Sequence, residues 1–227
     1  RQIKDGACEK RSLVVPNGIK TAHYAKALAA RSKTIPLTVG LIGRVVPIKD
    51  IKTFIRAIKE VQSSMPAIEG WIIGPFEEDP KYYKECQLLV GSLELQNSVK
   101  FLGMQNIAEI LPKLGLVALT SISEAQPLVL LEAMAAGVPV LASDVGSCRE
   151  IIEGATEQDK ALGKAGEVVS IASPSDTAVQ ITNILNNDDK WHEYQSSGLK
   201  RVKAFYDESH MFARYDKLYK DTMSWPE

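Results

Sequence analysis

Cysteine is scarce here. The sequence has three, Cys8, Cys86 and Cys148, and none stands in a CxxC spacing. An odd, scattered set argues against a disulfide framework or a thiolate metal site, and for reduced thiols that pack in a cytoplasmic protein. No charge of one sign dominates either. Lys and Arg number 27 against 28 Asp and Glu, a net of -1, so there is no electrostatic footprint for nucleic acid or an anionic membrane. The longest apolar stretch, 128–142, falls short of the roughly 20 residues of a membrane-spanning helix and carries Glu132. Internal repeats and low-complexity tracts are absent as well. Residues 1–12, RQIKDGACEKRS, show neither a signal peptide nor a core pattern, and the chain starts at Arg1, so we expect a piece of a longer protein.

What is present is a steady alternation of short apolar runs and helical periods. Strands are expected at 36–42, 71–74, 99–103, 116–121, 139–143 and 167–170. Helices are expected at 50–62, 82–93, 107–114, 128–136, 148–152 and 177–185. Gly137 and Pro139 end the fourth of these helices. Strands that are apolar on both faces and separated by single helices imply a parallel sheet covered on both sides. The expected fold is therefore α/β, a doubly wound, Rossmann-like sheet of about six strands, with its ligand at the strands' carboxyl ends. We divide the chain into a linker and edge segment, 1–30, the sheet domain, 31–187, and a helical tail, 188–227. The tail holds Trp191, Tyr194, Phe205, Tyr206, Phe212, Tyr215 and Tyr219, more aromatics than a domain edge requires. It packs as an amphipathic helix pair, or it also docks on an absent second domain.

Three segments fall at strand ends. GLIGRVVPIKD, 40–50, follows the first strand, yet Gly40 and Gly43 do not complete a GxGxxG fingerprint for a dinucleotide. It offers instead Arg44 and Lys49, a fork and a point charge suited to phosphate oxygens, or else two solvated cations. VKFLGMQN, 99–106, ends a strand in Gly103, where a flat ring can approach closely. Main-chain groups beside Met104 can read the edge of a base, or the segment is an ordinary turn.

The third segment, EAQPLVLLEAMAAGVPV, 124–140, sets one carboxylate in an otherwise apolar helix. Pro127 suits the first helical position, which leaves the N–H groups of Leu128 and Val129 as an anion site at the positive helix end. Glu132 lies on the same face as Leu128, about 6 Å along the axis. A ribose beside a diphosphate has that dimension, and its hydroxyls can donate to a carboxylate. Glu124 then stands where a sugar beyond the diphosphate would be. The other reading makes Glu132 the partner of a buried Arg or Lys, and Glu124 a capping or surface residue. Spacing leaves both open.

E-x7-E ahead of a small-residue helix and G-V-P-V, with G-R-x4-K upstream, resembles the nucleotide-binding domain of retaining GT-B glycosyltransferases of family four. VVPNGI, 14–19, resembles the segment by which those enzymes pass from acceptor to donor domain, and the likeness runs from about Val14 to Ser173. It implies the C-terminal half of a GT-B fold that transfers a hexose from a UDP-sugar, such as UDP-glucose, with retention. By that likeness Arg44 and Lys49 hold the donor diphosphate and Glu124 lies beside the transferred sugar, these three forming the catalytic set. Leu128 and Val129 offer amides to phosphate, Glu132 takes the ribose hydroxyls, and Gly43, Gly103 and Met104 line the nucleotide. No cofactor and no metal are implied, in keeping with the lack of a D-x-D triplet. The implied partners are the UDP-sugar and a missing N-terminal acceptor domain. GRVVPIKDIKTFIRAIKEV is most similar to a cytosolic transferase of exopolysaccharide biosynthesis, which adds an inner-membrane polysaccharide synthesis complex as a partner. Many family members have Gly and Phe where this chain has Ala125 and Gln126, so the sugar's identity stays open. A GT-B epimerase acting on UDP-N-acetylhexosamine and a nucleotide-sugar-binding module without catalysis are the alternatives.

Overall fold

The computed structural model describes residues 6, 8 and 12–223. Six strands form one sheet: β1 Thr38–Ile42, β2 Glu69–Ile73, β3 Val99–Gly103, β4 Leu116–Leu119, β5 Val140–Ser143 and β6 Gly166–Val169. All pair in parallel, in the order β3-β2-β1-β4-β5-β6. This is the doubly wound sheet that the alternation predicts. β1 starts two residues after its expected Pro36, which has no N–H to give a ladder. β2 starts earlier than expected because the Glu69 N–H donates to the Leu37 carbonyl at 2.9 Å.

The helices are α1 Ala25–Ala29, α2 Ile51–Gln62, α3 Pro80–Ser92, α4 Ile107–Ile110, α5 Leu128–Ala135, α6 Cys148–Glu153, α7 Glu157–Lys160, α8 Pro174–Leu185, α9 Asp188–Phe205 and α10 Glu208–Met223. None of those described is long and apolar enough to cross a membrane. Two short ones, α1 and α7, have no counterpart in the sequence reading, since one turn carries no period to detect. Alternate residues of each strand face opposite layers. Val39, Leu41, Leu116 and Leu141 meet Phe54, Ile55 and Ile58 of α2 and Ile181 and Ile184 of α8. Ile42, Val117, Leu119 and Ala142 meet Leu130, Leu131 and Met134 of α5 and Ile151 of α6.

The tail divides in two. α9 is built into the core: the Trp191 indole N–H donates to the Gly115 carbonyl at 2.6 Å, just ahead of β4. Arg201, fully buried, meets Asp159 at 2.5 Å and gives its other N–H groups to the carbonyls of Ile152, Asp159 and Gly163. α10 by contrast leaves Phe212 57% and Tyr219 65% exposed. Between the two helices the chain pairs with the N-terminal segment. The Ile19 N–H donates to the Tyr206 carbonyl at 2.8 Å, and the Glu208 N–H to the Ile19 carbonyl at 2.9 Å. The expectations for 1–5, 7, 9–11 and 224–227 lie outside the described residues.

β1 and β4 are neighbours, and the strand order reverses between them. The loops leaving their carboxyl ends diverge to opposite faces, which opens a crevice there.

Candidate functional site

Two loops meet at that crevice. One, 43–50, leaves β1 and ends at Asp50, which takes a left-handed conformation (φ 44°) and caps α2 by accepting the Thr53 N–H. The other, 120–127, leaves β4 and opens α5. They are stitched together: the Ile122 N–H donates to the Ile48 carbonyl at 2.9 Å. The Thr120 hydroxyl reaches the Lys49 and Asp50 carbonyls at 3.1 and 2.9 Å. That stitching brings the Lys49 ammonium to the Glu124 carboxylate at 2.5 Å, with both side chains mostly buried. The Ser121 hydroxyl donates to the same carboxylate oxygen at 2.7 Å.

A third loop, 144–147, leaves β5 and supports the second. The Ser147 N–H and hydroxyl both donate to the Ala125 carbonyl at 3.0 Å. Gly146 must be glycine, since a Cβ there would lie 2.3 Å from the Glu124 carbonyl oxygen and its φ is +54°. Beneath them Cys148 is fully buried. Burial, then the Glu124 carboxylate, pushes its thiol up to about 12, which keeps it protonated and inert.

Pro127 is the N-cap and not the first helical residue, because its ψ of 109° is extended. Leu128 and Val129 therefore become the first two residues of α5, and their N–H groups have no backbone acceptor among the described residues. The positive helix end opens beside Lys49 and Glu124. Glu132, one turn on and half-buried, lies near Tyr24. Burial first, then this carboxylate, raises the Tyr24 phenol well above its usual range. Glu132 thus neighbours a phenol, where the alternative reading of the sequence had a buried Arg or Lys.

The other expected residues lie further out. Arg44 gives its Nη1 to both oxygens of Glu78, at 2.6 and 2.9 Å, on the loop after β2. A Cβ on Gly43 would meet the Lys49 stem, 3.4 Å from its Cε. Gly103 ends β3, two strands from β1 and so about 10 Å from Gly43. It has a φ of +63° and leaves Met104 73% exposed. The structure therefore brings Lys49 and Glu124 together just ahead of α5, pairs Arg44 with Glu78, sets Glu132 one turn into α5, and leaves Gly103 at the end of β3 with Met104 exposed beside it.

Sequence reasoning missed Tyr24, Ser121, Glu78 and the Gln126 side chain, whose amide exchanges bonds of 2.7 and 3.2 Å with the backbone of Asn17. Only Ser121, three residues before Glu124, had a local signal, that of a short hydroxyl–carboxylate turn. A groove of about 1060 Å³ lies between α1 and α4, lined by Lys26, Ala27, Ala30, Glu109 and Pro112. It is on the flank, away from the strand ends where such sheets take ligands.

The sequence pattern of the family described as "Glycosyl transferases group 1" matches residues 29–201. The chain is 26% identical over 196 residues to the N-acetyl-alpha-D-glucosaminyl L-malate synthase of Bacillus anthracis, covering 86% of this chain and 47% of that protein. It is 34% identical over 142 residues to an exopolysaccharide phosphotransferase of Streptomyces coelicolor, covering 62% of this chain and 14% of that one. It thus spans less than half of either relative. Its fold is similar to that of Anabaena HepE in complex with UDP-glucose, with a TM-score of 0.83, 22% identity, and coverage of 96% of this chain and 60% of that one.

Proposed function

The chain belongs to the group 1 glycosyl transferases, and from that premise we propose that it is the donor-binding half of a retaining GT-B enzyme that transfers a hexose from a UDP-sugar. The observation that carries this reading is the Lys49–Glu124 contact beside the open N-terminus of α5, where the sheet order reverses. A diphosphate lying across Lys49 and Arg44 would receive the N–H groups of Leu128 and Val129. Its ribose would reach Glu132, and its sugar would lie against Glu124.

As the bond from the sugar's anomeric carbon to the diphosphate breaks, negative charge grows on the leaving UDP. Cations and amides fixed at that place stabilise it more than they do the bound donor. Two cations near 4 Å contribute roughly 1 to 4 kcal/mol each. An enzyme's rate enhancement corresponds to about 8 kcal/mol or more, so positioning against an acceptor must supply the rest. We assign that task to an acceptor domain outside these residues, in keeping with the share of its relatives that the chain spans.

UDP-glucose is the donor we propose first, supported by the likeness to a protein captured with it. GRVVPIKDIKTFIRAIKEV resembles PelF, the cytosolic transferase of Pel exopolysaccharide biosynthesis. With the exopolysaccharide relative, that likeness supports a cytoplasmic role in polysaccharide synthesis, beside an inner-membrane synthesis complex. The test is calorimetry of this chain with UDP, followed by radiolabelled UDP-glucose and a cell extract as acceptor source. We expect UDP to bind with a Kd of about 10 μM to 1 mM, and no transfer by these residues alone. No binding at millimolar UDP would overturn the site. Transfer that disappears in Glu124→Ala would overturn its dependence on a second domain.

A further inference from the structure

Glu78 has no part in that reading, yet it holds one of the reading's two cations. The Arg44 Nη1 donates to Glu78 Oε1 at 2.6 Å and Oε2 at 2.9 Å. Its Nε and Nη2 have no protein acceptor among the described residues, so the fork is only partly used.

The approach of these two residues is built into the sheet. The Gly43 N–H donates to the Ile73 carbonyl at 2.8 Å, and the Val45 N–H to the Pro75 carbonyl at 2.9 Å. The loops after β1 and β2 abut so closely that a Cβ on Gly74 would lie 2.2 Å from the Gly43 carbonyl oxygen. Three acids follow in the second loop, and two of them are committed to their own backbone. Glu77 accepts the Phe76 N–H at 3.0 Å, and Asp79 caps α3 by accepting the Tyr82 N–H at 2.9 Å. Glu78 alone is turned toward Arg44.

The pair is about half exposed, 53% for Arg44 and 51% for Glu78. Exposed ion pairs are weak and readily exchanged. A diphosphate carries more charge and more acceptor oxygens than one carboxylate, and it can occupy the fork bidentately. Building on the donor-site reading above, we propose that Glu78 is the resident counter-anion of that site. The donor's diphosphate displaces it from Arg44, and it recaptures Arg44 as UDP leaves. Glu78 is thus a residue that sets donor affinity and product release. Without it, Arg44 would hold the spent UDP longer.

The experiment titrates UDP into the wild-type chain, Glu78→Gln, Glu78→Asp, Arg44→Ala and the double variant Arg44→Ala/Glu78→Gln, at low ionic strength. Glu78→Gln should bind UDP about two- to fivefold more tightly, the range an exposed ion pair spans, with slower dissociation in stopped flow. Glu78→Asp, which keeps the charge but shortens the reach, should move the same way. In the Arg44→Ala background Glu78→Gln should have no effect. Unchanged or weaker UDP binding by Glu78→Gln, with the wild type binding, overturns this proposal and leaves the donor site standing. An equal gain in the Arg44→Ala background also overturns it, since that would be repulsion at a distance. A wild type that binds no UDP overturns the donor site itself, and the exchange with it.

Discussion

Lys49 and Glu124, 75 residues apart in the chain, meet at 2.5 Å across the crevice between β1 and β4. Each is the other's counterion in a place where both are mostly hidden from water, at 17% and 13% side-chain exposure. Lys49→Ala leaves the carboxylate with the Ser121 hydroxyl as its remaining donor. We expect the chain to lose about 1 to 3 kcal/mol of stability, less than for a fully buried pair, because water still reaches the site. UDP affinity should fall by about 1.5 to 3 kcal/mol, the range for hydrogen bonds to charged groups. Lys52→Ala, whose ammonium meets Glu85 on α3 and not the crevice, should leave UDP binding unchanged. Urea unfolding and calorimetry read the two effects separately. Equal UDP affinity for Lys49→Ala and wild type would remove Lys49 from the site.

Tyr24 lies close enough to Glu132 on α5 for the two to act on each other electrostatically. Because burial and the carboxylate keep the phenol protonated, it remains a donor across the working pH range. Tyr24→Phe, which removes the hydroxyl neighbouring Glu132, should weaken UDP binding by up to about 1.5 kcal/mol, the upper range for one hydrogen bond. Glu132→Gln should weaken it further while the ligand-free melting temperature stays close to wild type. A large fall in that melting temperature would instead make Glu132 a structural residue.

How far the sequence discloses all this depends on the range of the interaction. The apolar period of α2, with Ile51, Phe54, Ile55 and Ile58 all buried, is local, and it was legible. So was the end of α5 at Gly137, which takes a φ of +72°. Lys49 and Glu124 were legible as chemical types at strand ends, but their contact was not, since it depends on β4 crossing over to lie beside β1. Tyr24 belongs to a segment whose single helical turn has no period, and its role comes only from packing on α5. Glu78 sits among three acids in a row, and only the fold shows which one faces a cation. Arg201 reads as one more surface cation of an amphipathic helix until the carbonyls of Ile152 and Gly163 close around it.

Asp207 supplies a pH dependence. Its carboxylate accepts the Ser209 hydroxyl at 2.6 Å and the Thr21 hydroxyl at 2.5 Å, fastening the N-terminal segment to the break between α9 and α10. The Ser209 hydroxyl, then that of Thr21, hold its pKa down at about 2. Since the folded value lies below the unfolded value of about 3.9, the stabilisation is complete above the latter. It is lost as the pH falls through the former. Wild type should therefore melt above Asp207→Asn by a steady margin from pH 5 to 7, and the margin should close between about pH 4 and 2. A margin that does not change over that acid range would show that the carboxylate's charge plays no part.

Gly146 lies beneath the part of the crevice that we propose takes the sugar. The loop it belongs to is the shelf on which Glu124 and Ala125 rest, and a Cβ there would lie 2.3 Å from one carbonyl oxygen and 2.6 Å from the other. Gly146→Ala must push the two loops apart and also hold alanine at a positive φ, a strain of about 1 to 3 kcal/mol. The displacement acts on Glu124, whereas Arg44 on the loop after β1 and Glu132 inside α5 are anchored elsewhere. Affinity for UDP-glucose should accordingly fall more than affinity for UDP, because only the former would use the proposed contact between Glu124 and the sugar. Ser147→Ala, which removes one of the two bonds to the Ala125 carbonyl and adds no clash, should show the same order with a smaller gap. Calorimetry with both ligands on the two variants measures that difference directly. Equal losses for UDP and UDP-glucose would mean that Glu124 does not face the sugar, and its place beside the transferred hexose would have to be given up.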